Sequence, residues 1–428
     1  MALATSLRWF ASRRKVIILL LLTVVAYLAA INRTQAFPWA IAALLSATLL
    51  TGFIWPRWLV SQLTVKRRGP SRAEEGETIV FKVDVHNAGW TPRFMVELVD
   101  RLPFVGLTEA RVQSSEKVLG VLSYLPGLRS THFEVPVVCE KRGFYQLGPV
   151  GLASSFPLGL AEARRASNEG VQTLTIYPDV FNIQALPLRG APSQIHRGGY
   201  LLPEGAGTAE FSGMRDYRRG DNPRHIHWPT TARLNELIVR EYEPLASACV
   251  YIVLDQFSEA NSGYGKESTF EYAVRIAASI ARYGCSQNIR TRLAGEGRRS
   301  WQIRSGMGDL HLQDILDQLA VIDCDGTKHY AQVLSALAEN CLRGETMVIF
   351  LADDEPLIDS LIQALALIYQ RQVHLLAVLF NQRSFQATAV KSVERLDRKA
   401  RLTGSLLEFG AEIIEVSKGD DLVCRFNQ

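Results

Sequence analysis

Two uncharged apolar runs near the N-terminus, residues 16–31 (VIILLLLTVVAYLAAI) and 37–55 (FPWAIAALLSATLLTGFIW), constrain this chain before anything else. Each approaches the ~20 residues with which a helix crosses the hydrocarbon core of a bilayer. Together they predict a membrane hairpin. A secretory signal is the competing reading, because Arg13, Arg14 and Lys15 precede an apolar run and Thr34, Gln35 and Ala36 could pass for a cleavage site. The second apolar run begins at once, which favours the hairpin.

The cations set the expected orientation. Arg8, Arg13, Arg14 and Lys15 precede the first run, only Arg33 lies in the connection, and Arg57, Lys66, Arg67 and Arg68 follow the second. Lys and Arg favour the cytoplasmic side. Both termini, and nearly everything beyond about Ser61, are therefore expected in the cytosol, anchored at the inner (plasma) membrane. Neither run holds an Asp, Glu, Lys or Arg, which argues against transport. The formal net charge is +4, and much of that excess lies beside the membrane, where anionic headgroups would meet it. It implies neither nucleic acid nor a small-molecule substrate. Six cysteines show no CxxC pair and no metal-ligand spacing, so buried free thiols in a reducing compartment are expected.

Beyond the hairpin the chain is long enough for two domains. Residues 77–86 alternate, with Ile79, Phe81, Val83 and Val85 on one face, the period-two pattern of a half-buried strand. Similar strands are predicted at 94–99, 131–139 and 173–177, between turns rich in Pro and Gly. Such spacing predicts a small antiparallel β-sandwich. After residue 248 the pattern changes. Continuous apolar strands at 249–254, 289–293, 347–351 and 373–379 alternate with helices predicted near 269–283, 310–319, 330–338, 357–369 and 393–402. This predicts a parallel sheet covered on both faces, whose ligand rim lies beyond the carboxyl ends of the strands. Asp255 and the pair Asp353 and Asp354 fall at that rim. The expected architecture is thus multi-domain: a transmembrane helical hairpin (1–60), a β-sandwich (61–190), an intervening segment (191–247) and an α/β domain (248–428).

That intervening segment holds the densest chemistry, GMRDYRRGDNPRHIHWPTTARLNELIVREYE over 213–243. Asp221, Asn222 and Pro223 are turn formers. Arg215, Arg218, Arg219 and Arg224 surround the turn, and guanidinium forks suit carboxylate or phosphate. A docking patch of Arg215, Arg218, Arg219, Asp221, Arg224, Trp228 and Arg233 competes with an internal network pairing the cations to Asp216, Asp221, Glu241 and Glu243, and the internal network is favoured. His225 and His227, two apart, would share a face in a strand. With no third ligand at a convincing spacing, hydrogen-bonded histidines beside a packed Trp228 are expected.

Through GMRDYRRGD, Ile226-His227-Trp228, Ala232-Arg233 and VREYE at 239–243, the chain resembles the domain of unknown function 58 family of bacterial membrane proteins. The resemblance extends to the hairpin, to Arg142-Gly143-Phe144-Tyr145 and to Phe156-Pro157-Leu158-Gly159-Leu160. Where the family often reads Asp-Pro-Phe-Gly-Leu, this chain has Ser155-Phe156-Pro157-Leu158-Gly159, so a differently shaped turn is expected. The resemblance implies a C-terminal von Willebrand factor A-like, Rossmann-like domain. It also implies a MoxR-type AAA+ ATPase as partner, in the assembly or activation of other proteins.

The implied adhesion-type rim would hold Mg²⁺ through Asp255, Thr327 and Asp353, oxygen ligands of the right hardness. Its two serine positions hold Phe257 and Glu259 instead. A site that has lost its metal and kept its fold is the competing reading. No GxxxxGK[ST] loop, GxSxG elbow or HExxH helix occurs. The expectation is a membrane-tethered interaction protein and not an enzyme. The alternative is a metal-dependent enzyme using Asp255, Glu259, Asp353 and Asp354.

Overall fold

The structure, a computed structural model, describes residues 2–32, 36–105, 116–167, 171–188, 210–217, 226–234, 236–243, 249–386 and 393–427. The chain divides into two compact units. One is Met1–Asp179 with Tyr264–Lys266 and Asp317–Ile322; the other is Val180–Gly263, Glu267–Leu316 and Asp323–Gln428.

The first unit opens with α1 (Ala2–Asn32) and α2 (Ala36–Val60), both containing spans long and apolar enough to cross a membrane. The two helices meet: the Tyr27 and Ser46 hydroxyls lie 3.0 Å apart, and the Tyr27 ring stands edge-on to Trp39. The last turns of α2 do not end free. Gly52, Pro56, Leu59 and Val60 are buried, and Leu59 and Val60 join the core of the β region that follows.

That region comprises β1 (Leu63–Arg68), β2 (Arg72–Glu74), β3 (Thr78–Asn87), β4 (Arg93–Arg101), β5 (Glu116–Leu125), β6 (Ser130–Val138), β7 (Gly143–Leu147), β8 (Gly151–Ser154), β9 (Ala163–Ala166) and β10 (Gln172–Tyr177). They form three small sheets, ordered β1-β3-β6, β2-β10-β7 and β5-β4-β8-β9. In β3 the predicted alternation holds, since Ile79, Phe81, Val83 and Val85 are all buried. One core joins the sheets, with Phe81, Leu98, Phe104, Leu122, Leu147, Leu152 and Leu174 at its centre. Inside it Arg67 and Asp100 form a buried ion pair. Burial depresses the Arg67 pKa and raises that of Asp100, against their mutual attraction. The purely antiparallel arrangement expected from sequence needs one correction. The short strand β2 pairs β10 in parallel, because β10 returns to it after a long excursion of chain and no hairpin constrains its direction.

The rest of the chain contains β11 (Glu210–Asp216), α3 (Trp228–Leu234), β12 (Ile238–Glu243), β13 (Cys249–Leu254), β14 (Gly263–Tyr264), β15 (Glu267–Ser268), α4 (Thr269–Ser286), β16 (Arg290–Glu296), β17 (Ser300–Gly306), α5 (Gly308–Val321), α6 (Tyr330–Ala338), β18 (Thr346–Ala352), α7 (Ile358–Gln370), β19 (His374–Phe380), α8 (Gln382–Phe385), α9 (Val393–Glu408), β20 (Glu412–Val416) and α10 (Leu422–Phe426). A six-stranded sheet, ordered β17-β16-β13-β18-β19-β20, is its backbone. Five strands are parallel, but β17 runs antiparallel to β16, so the sheet is mixed and the all-parallel expectation is corrected at that edge. The chain leaves β13 for β16 and β17, then returns to β18 on the opposite side. The order therefore reverses between β13 and β18, where open α/β sheets place their ligands.

Strand β13, and β18 from Met347 onward, are apolar because both faces are covered. On one face Tyr251, Val253, Met347, Ile349, Leu375 and Ala377 share a core with α6, α7 and α9, while α4 packs against β13 and β16. Helix α4 starts at an N-cap: the Ser268 hydroxyl accepts the Glu271 amide at 3.3 Å. All six cysteines are free, and Cys424 departs from the expected burial by being exposed.

Candidate functional site

The rim at the β13–β18 reversal is built from three loops. Immediately after β13, Asp255 turns the chain by accepting the Phe257 amide on Oδ1 at 3.0 Å. The next residues bind the 325–327 loop: the Gly326 amide donates to the Gln256 carbonyl at 2.8 Å, and the Ser258 amide to the Gly326 carbonyl at 3.1 Å. Gln256 is buried and fixed at both ends of its amide, donating to the Asp323 carbonyl (2.7 Å) and accepting from Trp301 Nε1 (2.6 Å). After β18, the Asp353 amide donates to the Phe380 carbonyl, and its Oδ1 accepts the Gln382 amide at 3.1 Å. The rim is held by backbone and side-chain bonds together.

Between these loops lies a small pocket, partly open to solvent. Its walls are chiefly apolar, from Phe257, Phe270, Phe350 and Phe380, with Asp255, Asn261, Thr269 and Cys324 as polar members. Burial pushes the Asp255 carboxyl up to about 7; the Phe257 amide pulls it down, and the Glu355 charge adds to the rise. Burial raises Glu355 as well. The Cys324 thiol, bonded to the Gln256 and Phe257 carbonyls, is pushed up to about 12 by burial first and by the Asp255 charge next, which removes thiolate chemistry near neutral pH.

The sequence expectations at this rim meet a mixed outcome. Asp255 and Asp353 do emerge at the same edge, from adjacent parallel strands, and the loop bearing Thr327 is bonded to the loop bearing Asp255. The donor set nevertheless does not fit an adhesion-type cation site. Phe257 stands where an oxygen donor is needed and packs 4.4 Å from the His329 ring, Thr327 and Glu259 are exposed, and Asp354 pairs with Arg398 at 2.7 Å. Among the described residues no three His, Cys, Asp or Glu side chains gather as a metal site requires. The same positions leave the four carboxylates of the enzyme alternative with different surroundings and no common focus.

Three contributors escaped the sequence reading. Asn261 accepts both the Thr269 hydroxyl (2.9 Å) and the Phe270 amide (3.0 Å), tying the pocket wall to the start of α4. Tyr330 donates to the Val253 carbonyl at 2.7 Å and accepts the Phe350 amide at 3.4 Å, bridging β13 and β18 beneath the rim. Cys324 is the third. The Ser268-x-x-Glu271 spacing was readable and would have located the start of α4; nothing local in the sequence marks Tyr330.

The Arg-rich segment forms a second feature. Strands β11 and β12 pair antiparallel, with a bulge between Phe211 and Gly213. The short helix α3 is tied to this ribbon, the His227 amide donating to the Ile238 carbonyl (2.8 Å) and the Ile238 amide to the Thr231 hydroxyl (3.1 Å). His227 Nδ1 lies 2.7 Å from the Thr230 hydroxyl, so it is hydrogen bonded as expected, but it precedes a helix and does not sit in a strand. His225 lies outside the described residues. Trp228 corrects the packing expectation: it opens α3 with 63% of its surface exposed, and Arg233, in the last turn, is exposed too. Arg215 lies on β11, and only its backbone is described. Arg218, Arg219, Asp221 and Arg224 lie outside the described residues.

Residues 213–383 match the family described as "Protein of unknown function DUF58". Over that stretch the chain matches DUF58. The match opens inside β11 and closes in α8, so the DUF58 stretch holds the Arg-rich ribbon and most of the mixed sheet, whereas the sequence resemblance had extended to the hairpin as well. The "Uncharacterized protein YeaD" of Bacillus subtilis (strain 168) is 30% identical over 112 residues, 26% of this chain and 26% of that protein. The match thus spans about a quarter of the relative's length. Among solved structures, a CARDB domain from Pyrococcus furiosus in complex with di-metal ions is 11% identical at a TM-score of 0.18, covering 27% of this chain and 86% of that one. Manganese-loaded TRAP protein from Plasmodium vivax is 11% identical at a TM-score of 0.24, covering 38% and 73%. Likenesses that low carry no argument about DUF58.

Proposed function

We propose that this DUF58 protein is a membrane-anchored adaptor whose cytoplasmic body grips another protein, with a MoxR-type AAA+ ATPase as the partner. Its α/β domain is of the von Willebrand factor A-like kind, and its task is the assembly or activation of other proteins. The anchor is the α1–α2 hairpin, oriented with both termini in the cytosol by the Lys and Arg that flank it.

The observation that carries the reading is the exposure of Trp228 in an Arg-rich segment. A large aromatic left in solvent loses the burial that would repay its hydrophobic surface, and Trp and Arg are the residue types that dominate protein–protein binding energy. The strand-order reversal supports the same reading from another side. Its rim is closed by hydrogen bonds among its own loops, and its pocket wall is chiefly apolar.

Copurification from solubilised membranes tests the proposal. The full chain should retain the ATPase, and Arg218→Glu with Arg219→Glu should release it while the unfolding midpoint stays unchanged. Undiminished retention by the double variant would move the interface away from this segment.

A further inference from the structure

The strand registers bring one end of the β region to the point where α2 leaves off. Leu63, two residues after Ser61, pairs with Asn87, and Arg93 pairs with Leu125, so the β3–β4 and β5–β6 loops lie together at that end. They are knit to each other and to α2: the Ala88 amide donates to the Gln62 carbonyl (2.9 Å), the Leu128 amide to the Gly89 carbonyl (3.0 Å), and Arg93 stacks 4.1 Å over Trp58. The β8–β9 turn reaches the same place. Glu97 pairs with Ala153 just before it, Phe156 stands 5.3 Å from Phe94, and Gly52 of α2 lies so close to Leu160 that a Cβ there would come within 2.6 Å of Leu160 Cδ1.

Each of the three loops ends in a large apolar side chain turned to solvent. Trp90 is 87% exposed, Leu128 56% and Leu158 44%. Loop tips are ordinarily polar, and apolar surface gathered on one end of a domain marks a contact.

Helix geometry says which contact. At 1.5 Å per residue the 25 residues of α2 extend about 37 Å, longer than the ~30 Å hydrocarbon core, so its last turns emerge from the slab. The apolar run ends at Trp55, and Gly52, the residue touching Leu160, lies about 4.5 Å further into the slab. Trp55, Trp58, Phe94 and Phe156 cluster at this depth, the arrangement expected of an interfacial aromatic belt. Arg57 and Arg129 are exposed at the same end, where lipid phosphates would meet them.

We infer that the β region is seated on the bilayer, with Trp90, Leu128 and Leu158 inserted at the headgroup–acyl boundary of the leaflet from which α2 emerges. This rests on the reading that α2 crosses the membrane. The three tips and the helix form a four-point mount, which fixes the tilt of the β region against the membrane where a flexible linker would leave it free.

The test uses the full chain in nanodiscs of phosphatidylcholine and phosphatidylglycerol, in a Cys424→Ser background. A fluorophore is placed in turn on Trp90→Cys, Leu128→Cys and Leu158→Cys, with brominated lipid as quencher. Failure of buried Cys139 to react certifies the fold of each variant. Phe144→Cys, exposed on β7, and Leu44→Cys, exposed in α2, are the reference sites. Emission from 90, 128 and 158 should be lost to bromine high on the acyl chains, emission from 44 to bromine deep in the core, and emission from 144 to neither. Quenching at 44 without quenching at the three tips overturns the seating and leaves the anchor. No quenching at 44 overturns the membrane reading, and the seating with it. Tips shielded equally well without lipid would assign them to a second copy of the chain, against the inference.

Discussion

Asp255 is a rim residue whose ionisation burial and a neighbouring carboxylate both oppose. Its carboxyl is held up to about 7 by burial, whereas an unfolded chain releases that proton near ~3.9. The folded state therefore binds the extra proton between those values, and its stability falls as the pH rises through them. Asp255→Asn keeps an acceptor for the Phe257 amide and removes the titration. Its stability relative to wild type should rise by on the order of 2 kcal/mol between pH 5 and pH 8. Denaturant unfolding at the two pH values measures it, and an offset independent of pH would show the carboxyl is not held up. At this scale the sequence reading succeeded in placing Asp255 and Asp353 at one rim, because fully apolar strands announce their own ends. It could not anticipate that Phe257 would lie against His329 or that Tyr330 would bridge β13 and β18, because those partners are far apart along the chain.

Among the elements, two glycines separate close packing from helix propensity. Gly326 joins the rim loops, and a Cβ there would meet the Glu296 carbonyl oxygen at 2.5 Å and that of Gln256 at 2.8 Å. Both are backbone atoms and yield little, so Gly326→Ala should destabilise by about 1–3 kcal/mol. Gly404, inside α9, has open space where a Cβ would go, and Gly404→Ala should stabilise by about 0.5–1 kcal/mol. Urea midpoints of the two variants should move in opposite directions; movement the same way would contradict the packing described at Gly326. The elements that the sequence announced are those with one strong period: β3 by alternation, β13 and β18 by unbroken apolarity, α4 by its apolar stripe. The edge strand β17, SWQIRSG, is mostly solvent-facing and has no apolar run to betray it, and for the same reason its antiparallel direction was missed.

For the molecule as a whole, the two apolar helices are continuous with the β region through the buried last turns of α2, so they belong to one folded unit with it. Composition made the two apolar helices readable, and the density of Arg, Asp and His made the segment 213–243 conspicuous. Which of its side chains are left to solvent was not readable, because a Trp beside two histidines reads equally well as a packing anchor until the backbone places it at the start of α3. That exposed indole is where the adaptor reading stands or falls. The most direct measurement is the affinity of the full chain, held in nanodiscs, for a MoxR-type ATPase, comparing Trp228→Ala with Leu310→Ala, a control of similar exposure outside the segment. The reading predicts a loss of about 30-fold or more for Trp228→Ala, a hot-spot effect of ~2 kcal/mol, and no change for Leu310→Ala. Equal affinity for wild type and Trp228→Ala, or no measurable binding by the wild type, would contradict it.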